Sequence, residues 1–193
     1  MDLLQEYKEL YYKEIEHSEI LNGKINTCIT FITVLGSAQV ILWTQFKNFD
    51  IKIYSIIYFV SCLISFIFFI INIYLFYRAY SGYKYNYFPI KDMALTTIET
   101  YRIAGDNKKD IKRADKHVYN MYCERYLNDA IVNMKNNETK NNRHKKLTKY
   151  ICISFIITII VYALSIGIDY YESKTLTDNT NHVIIDGGEI NVR

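Results

Sequence analysis

The chain has 193 residues, a length that suits one compact unit better than several domains. Its mean hydropathy is close to zero, which would fit a soluble protein, but the apolar residues are gathered in three charge-free blocks with the charges between them. With 7 Gly and 1 Pro, the loops are few and the helices long. The fold class expected is an all-α membrane protein with three transmembrane helices, cytosolic amphipathic helices and a short C-terminal tail.

Residues 1–26 read as a cytosolic amphipathic helix. Leu4, Tyr7, Tyr11, Ile15, Leu21 and Ile25 recur near helical spacing. Its polar face is rich in Glu, including Glu6, Glu9, Glu14, Glu16 and Glu19, whereas helices that lie on membranes favour Lys and Arg there. The helix therefore packs on its own chain or on a partner helix. No signal peptide, prenylation box or myristoylation glycine is expected, so insertion uses the internal apolar blocks.

Residues 27–46 form the first expected crossing. Thr33, Gly36 and Ser37 bring small residues that let helices approach closely. Gln39 reads as an interhelical hydrogen bond within the protomer or, alternatively, as a residue lining a pore or an oligomer seam. Trp43 suits the membrane interface. Lys47 to Lys52 reads as a short turn that makes the flanking helices antiparallel neighbours. Residues 53–76 are the second crossing. The run Ile53 to Tyr77 has no charge, Gly or Pro and exceeds the roughly 20 residues that a bilayer core requires. Asn72 is its one amide. Thr33, Gly36, Ser37, Gln39 and Asn72 are the candidates for an oligomer seam or pore.

Residues 77–149 read as a cytosolic helical segment. It opens with a tyrosine cluster that includes Tyr77, Tyr80 and Tyr83, read as an aromatic belt in preference to a base-stacking platform. A helix is expected over Ile90 to Ala104, ended by Gly105 and Asp106-Asn107. A second is expected from about Lys108 to Met134, with an apolar stripe at Ile111, Ala114, Val118, Met121, Tyr122, Ile131 and Met134 packed against the N-terminal helix. The Asn-rich run 136–142 either breaks this helix or continues it as a polar helix into the membrane. Arg143, Lys145, Lys146 and Lys149 then form a topology anchor that attracts anionic headgroups, before the third crossing at 150–168. Residues 169–193 are an extracytoplasmic tail. Its end, His182 to Val192 around Asp186-Gly187-Gly188, forms a possible β-hairpin or frays.

Lys and Arg are dense over 77–149 and sparse in the tail. The positive-inside rule then places the N-terminus in the cytosol and the C-terminus outside. Cys28, Cys62, Cys123 and Cys152 show no metal spacing and read as small hydrophobes. No GxGxxG, Walker A, HExxH or GxSxG motif occurs, and the apolar blocks hold no ionisable Asp, Glu, Lys, Arg or His. No enzyme activity, cofactor, metal or nucleic-acid partner is expected. The expected partners are the bilayer, further copies of the chain, and a soluble sensor or enzyme on the cytosolic side.

The layout resembles the SLATT-type two-transmembrane effectors linked to bacterial nucleotide-signalling and anti-phage systems. The resemblance covers Met1 to about Met134. It rests on architecture, on Tyr11-Tyr12-Lys13-Glu14 before the first crossing, and on Tyr126-Leu127-Asn128-Asp129-Ala130 in the last cytosolic helix. The third crossing and the outward tail depart from that family's two-helix pattern. The resemblance implies an inner-membrane oligomer that breaches the bilayer when a partner senses infection. The alternative is a membrane anchor or scaffold whose cytosolic helices recruit a soluble partner.

Overall fold

A computed structural model describes the backbone of residues 2–45 and 52–188, with side chains at 52, 172 and 175–188 outside the description. Among the described residues there are four helices and no strands: α1 Leu3–Gln45, α2 Lys52–Tyr80, α3 Ile90–Ala104 and α4 Lys108–Gly188. The expected turn at 47–52 lies almost wholly outside the described residues. Three of the helices, α1, α2 and α4, contain stretches long and apolar enough to cross a membrane.

Local chemistry sets the helix ends. The Asp2 carboxylate accepts from the Leu4 backbone N–H at 3.2 Å, as an N-cap does. Asn107 caps α4 through its side-chain oxygen, which accepts from Lys109 N–H at 3.1 Å. Gly105 closes α3 at φ 58°, where a residue with a Cβ is strained, and its N–H reaches the Tyr101 carbonyl at 3.2 Å. The bounds of α3 are those expected from sequence. The expected hairpin is corrected over 182–188, where the backbone continues α4 as helix. A two-residue turn between two short runs has no third strand to support it and is marginal in water, whereas helix extends one bond per residue from an existing end. Residues 189–193 lie outside the described residues.

The chain divides into two units, the first comprising Met1–Asn26 and Arg78–Lys145, the second Thr27–Tyr77 and Lys146–Arg193. Burial along each long helix follows one rule. In α1 the buried residues are Tyr11, Ser18, Leu21, Ile25, Cys28, Ile32, Leu35, Gln39 and Leu42, in steps of three, four and seven. In α2 they are Tyr58, Cys62, Ser65, Asn72 and Ala79. In α4 the pattern runs through Cys123, Tyr126, Ala130, Asn133, Asn137 and Lys140, then Leu147, Ile151, Ser154, Thr158, Val161, Ser165 and Ile168. This is a 3.5-residue period, the repeat that keeps one seam facing its neighbours in left-handed helix packing.

The core of the first unit is aromatic. Tyr11 of α1 meets Tyr126 of α4 edge to face at 5.6 Å, and Phe88 stacks on Tyr126 at 4.1 Å with the rings nearly parallel. The expected stripe on α4 is corrected at its C-terminal end. Ile131 and Met134 are exposed, at 46% and 51%, while Asp129, Asn133 and Asn137 are buried in their stead. The core of the second unit gathers Leu42, Tyr58, Cys62, Val161 and Ile168, with the Tyr58 hydroxyl donating to the Leu42 carbonyl at 2.8 Å.

Candidate functional site

Within the second unit the seam between the three helices is polar at several levels. The Gln39 amide donates through Nε2 to Ser65 Oγ at 2.7 Å, and the Ser65 and Thr158 hydroxyls lie 3.2 Å apart. Elsewhere in the seam, Asn72 Nδ2 donates to Ser154 Oγ at 2.6 Å, and Ser154 donates to the Tyr150 carbonyl at 2.9 Å. Near the other end Ser165 donates to Gln45 Oε1 at 2.8 Å. Each helix thus supplies a hydroxyl or amide to its neighbours, and Gln39, Ser65, Asn72, Ser154, Thr158 and Ser165 are all buried. Such bonds hold helices together where there is no water to compete. Two acceptors, Gln39 Oε1 and Asn72 Oδ1, are buried without a hydrogen bond among the described residues. An unpaired buried amide oxygen carries a desolvation cost of about 1–3 kcal/mol, so the closed seam is less stable than its packing alone implies.

The remaining seam candidates fall elsewhere. Thr33 and Ser37 are exposed and turn their hydroxyls back onto the carbonyls of Ile29 and Thr33, at 2.9 and 3.2 Å. They share a face with each other but not with Gln39, six residues on from Thr33. Gly36 lies against Phe69, where an added Cβ would come within 3.2 Å of the ring. Gln39 and Asn72 therefore bond within the protomer. Ser154, Thr158 and Ser165 are not singled out from sequence. The signal that identifies them is their place on the heptad seam rather than their residue type.

In the first unit, residues 81–89 form a strap, neither helix nor strand, that is bonded to α4. Asn133 holds the backbone of Asn86 at both its N–H and its carbonyl, at 2.9 and 3.0 Å. Asn136 donates to the Lys84 carbonyl at 2.7 Å, Tyr85 donates to Asn137 Oδ1 at 2.8 Å, and the Phe88 N–H donates to the Tyr11 hydroxyl oxygen at 2.9 Å. Asn137 in turn donates to the Glu14 carbonyl at 2.7 Å and to its carboxylate at 2.9 Å, tying α1 to α4. The Asn-rich run expected to break or continue the helix continues it and anchors the strap.

Charged groups close this unit. Asp129 is buried, accepting from Arg125 Nε at 2.9 Å and from Asn86 Nδ2 at 3.2 Å. Lys140 is buried too, bonded to Asn22 Oδ1 and set over the rings of Tyr83 and Tyr85 at 5.2 and 5.4 Å. Loss of water around its ammonium pushes its pKa below the usual lysine value. Burial likewise raises the Tyr11 phenol above its ordinary range, and the Asp2 carboxylate that accepts its proton bond lifts Tyr119 to about 12.

Of the expected interface residues, Tyr77, Tyr80, Lys145, Lys146 and Lys149 are exposed, and Trp43 is half-buried with its ring 5.8 Å from Phe59. Tyr83 is half-buried under Arg143, whose guanidinium carbon is 5.3 Å from the ring centre and whose NH1 donates to the Arg78 carbonyl at 2.9 Å. Among the described residues no group of three or more His, Cys, Asp and Glu side chains is arranged to hold a metal ion. Compared with known proteins, the chain matches no family model, and no curated protein and no solved structure is significantly similar to it.

Proposed function

We propose that this is a multi-pass inner-membrane protein of a bacterium, with its N-terminus cytosolic and its C-terminus outside, that acts as a homo-oligomeric effector breaching the bilayer. The defence setting against phage comes from the family resemblance. The observation that carries the membrane-breaching reading is the buried polar seam Gln39–Ser65–Thr158 with Asn72–Ser154. Such bonds also hold packed helices together, but a row of hydroxyls and amides at several levels of one seam is what a hydrophilic lining requires. In the resting protomer these groups bond one another. Parting the helices would expose them as a hydrophilic lining, and the two unpaired amide oxygens favour hydration on opening.

A second reading, a scaffold that recruits a soluble partner, is favoured by α3. Only Met93 of this helix is buried, whereas Ile90, Leu95, Ile98 and Ile103 are all more than half exposed, at 75%, 57%, 65% and 78%. Dye release from liposomes separates the two. The effector reading expects release by the wild-type protein and a large loss of release in a Gln39→Leu/Asn72→Leu variant that still inserts. Tight liposomes carrying fully inserted wild-type protein would leave the scaffold reading in its place.

A further inference from the structure

We infer that the end of the first unit bearing Lys24, Arg78, Arg143 and Lys145 is a binding site for the phosphate of an anionic phospholipid. The inference rests on the membrane reading above. Its first support is how the chain brings cations from three helices to one level. His144 of α4 is held at Lys24 of α1, whose backbone bonds its ring. Arg143, one residue earlier, reaches the carbonyl of Arg78 at the end of α2. Lys145 follows directly and is exposed, as are Lys24 and Arg78.

The second support is charge. No carboxylate occurs in residues 20–49, 51–91 or 139–168, so all three helices contribute only cations on this stretch. The crowding is felt at His144, whose pKa falls below its ordinary value through burial and then through the charge of Lys24. A surface that collects positive charge from every element fits an anion.

The third support is that Arg143 is braced. Its guanidinium lies over the Tyr83 ring and is fixed by the Arg78 carbonyl, leaving further N–H donors for a phosphate oxygen. The level also marks where the ligand would be met. Residues 27–45 of α1 and 150–168 of α4 are free of charge, so headgroups stand beside this collar when those segments span a bilayer. A phospholipid headgroup supplies the phosphate that this collar of cations fits.

The test uses the full chain in a non-ionic detergent, titrated with short-chain phosphatidylglycerol or phosphatidylcholine and followed by native mass spectrometry. The expected result is preferential binding of phosphatidylglycerol, weakened about fivefold per removed charge in Lys24→Gln/Lys145→Gln, and weakened again in Arg143→Gln. Lys112→Gln/Lys116→Gln, on α4 well away from the collar in sequence, should bind as wild type. Equal binding of the two lipids, or unchanged binding in Lys24→Gln/Lys145→Gln, overturns the inference. So does an oligonucleotide that displaces the lipid and binds more tightly through the same residues. Incorporation into phosphatidylcholine nanodiscs is scored separately. A chain that enters them without lipid preference defeats only this inference, whereas one that stays soluble without detergent defeats the membrane reading.

Discussion

Asn133 stands in for a β-strand beside Asn86. Its Oδ1 accepts from the Asn86 backbone N–H at 2.9 Å, and its Nδ2 donates to the Asn86 carbonyl at 3.0 Å. The strap has no neighbouring strand, and a backbone laid on a helix must find partners for its polar groups. One buried side-chain amide supplies both. Asn133→Leu should leave both backbone groups unpaired and destabilise the first unit by about 2–4 kcal/mol. Limited proteolysis should then cut within residues 81–89 at protease levels that leave wild type intact.

Phe88 locks the strap's far end by stacking on Tyr126. Phe88→Ala removes that stack and the ring's contact with Tyr122, 5.7 Å away. The expected loss is about 2 kcal/mol, read as a lower midpoint of thermal unfolding. Phe88→Tyr should keep most of the stability because the stacked face is unchanged.

These two positions show which parts were legible in sequence. The three long apolar helices were, because length and lack of charge mark them in the sequence. Helix α3 was, because Gly105 and Asp106-Asn107 mark its end. The seam was not, since Asp129, Asn133, Asn137 and Lys140 occupy core positions of α4 and belong to no apolar stripe. The apolar residues at that spacing, Ile131 and Met134, face outward instead. The strap was not legible either, because its stability lies in side chains some 50 residues away, as for Asn86 and Asn133. Tyr83 reads as a belt residue, yet its ring lies beside the Lys140 ammonium, as does that of Tyr85.

Met121 and Ile131 separate the two accounts of α4. Met121 is half-buried and Ile131 exposed. Met121→Glu should reduce accumulation of the protein sharply, because a carboxylate would be desolvated there. Ile131→Glu should change stability by less than about 0.5 kcal/mol. Immunoblots of the two variants at equal expression give the comparison.

His144 gives the first unit a pH dependence. Burial and the charge of Lys24 hold its pKa below its ordinary value of 6.5. The unfolded chain therefore binds this proton more readily than the folded one, and stability falls as pH drops below about 6.5 toward the folded value. His144→Gln should flatten that acid limb while leaving stability above pH 7 close to wild type. Thermal unfolding between pH 5 and 7.5 measures both slopes.

Gly36 gives the corresponding handle on the second unit. An added side chain meets Phe69 at 3.2 Å from the first carbon onward. Gly36→Val should cost about 1–3 kcal/mol through overpacking, and Phe69→Ala in the same chain should recover much of it. Rescue would confirm that α1 and α2 approach closely within one protomer at this level.

The proposed effector depends on the chain crossing the bilayer three times, with the first unit in the cytosol and the end of α4 outside. Membrane-impermeant maleimide labelling tests this directly. Lys112→Cys and Ser173→Cys place thiols at exposed positions on α4, on either side of the apolar segment 150–168. In intact spheroplasts, Ser173→Cys should be labelled above the parent chain's background, and Lys112→Cys only after permeabilisation. Labelling of Lys112→Cys in intact spheroplasts, or protection of both thiols until permeabilisation, would contradict the account.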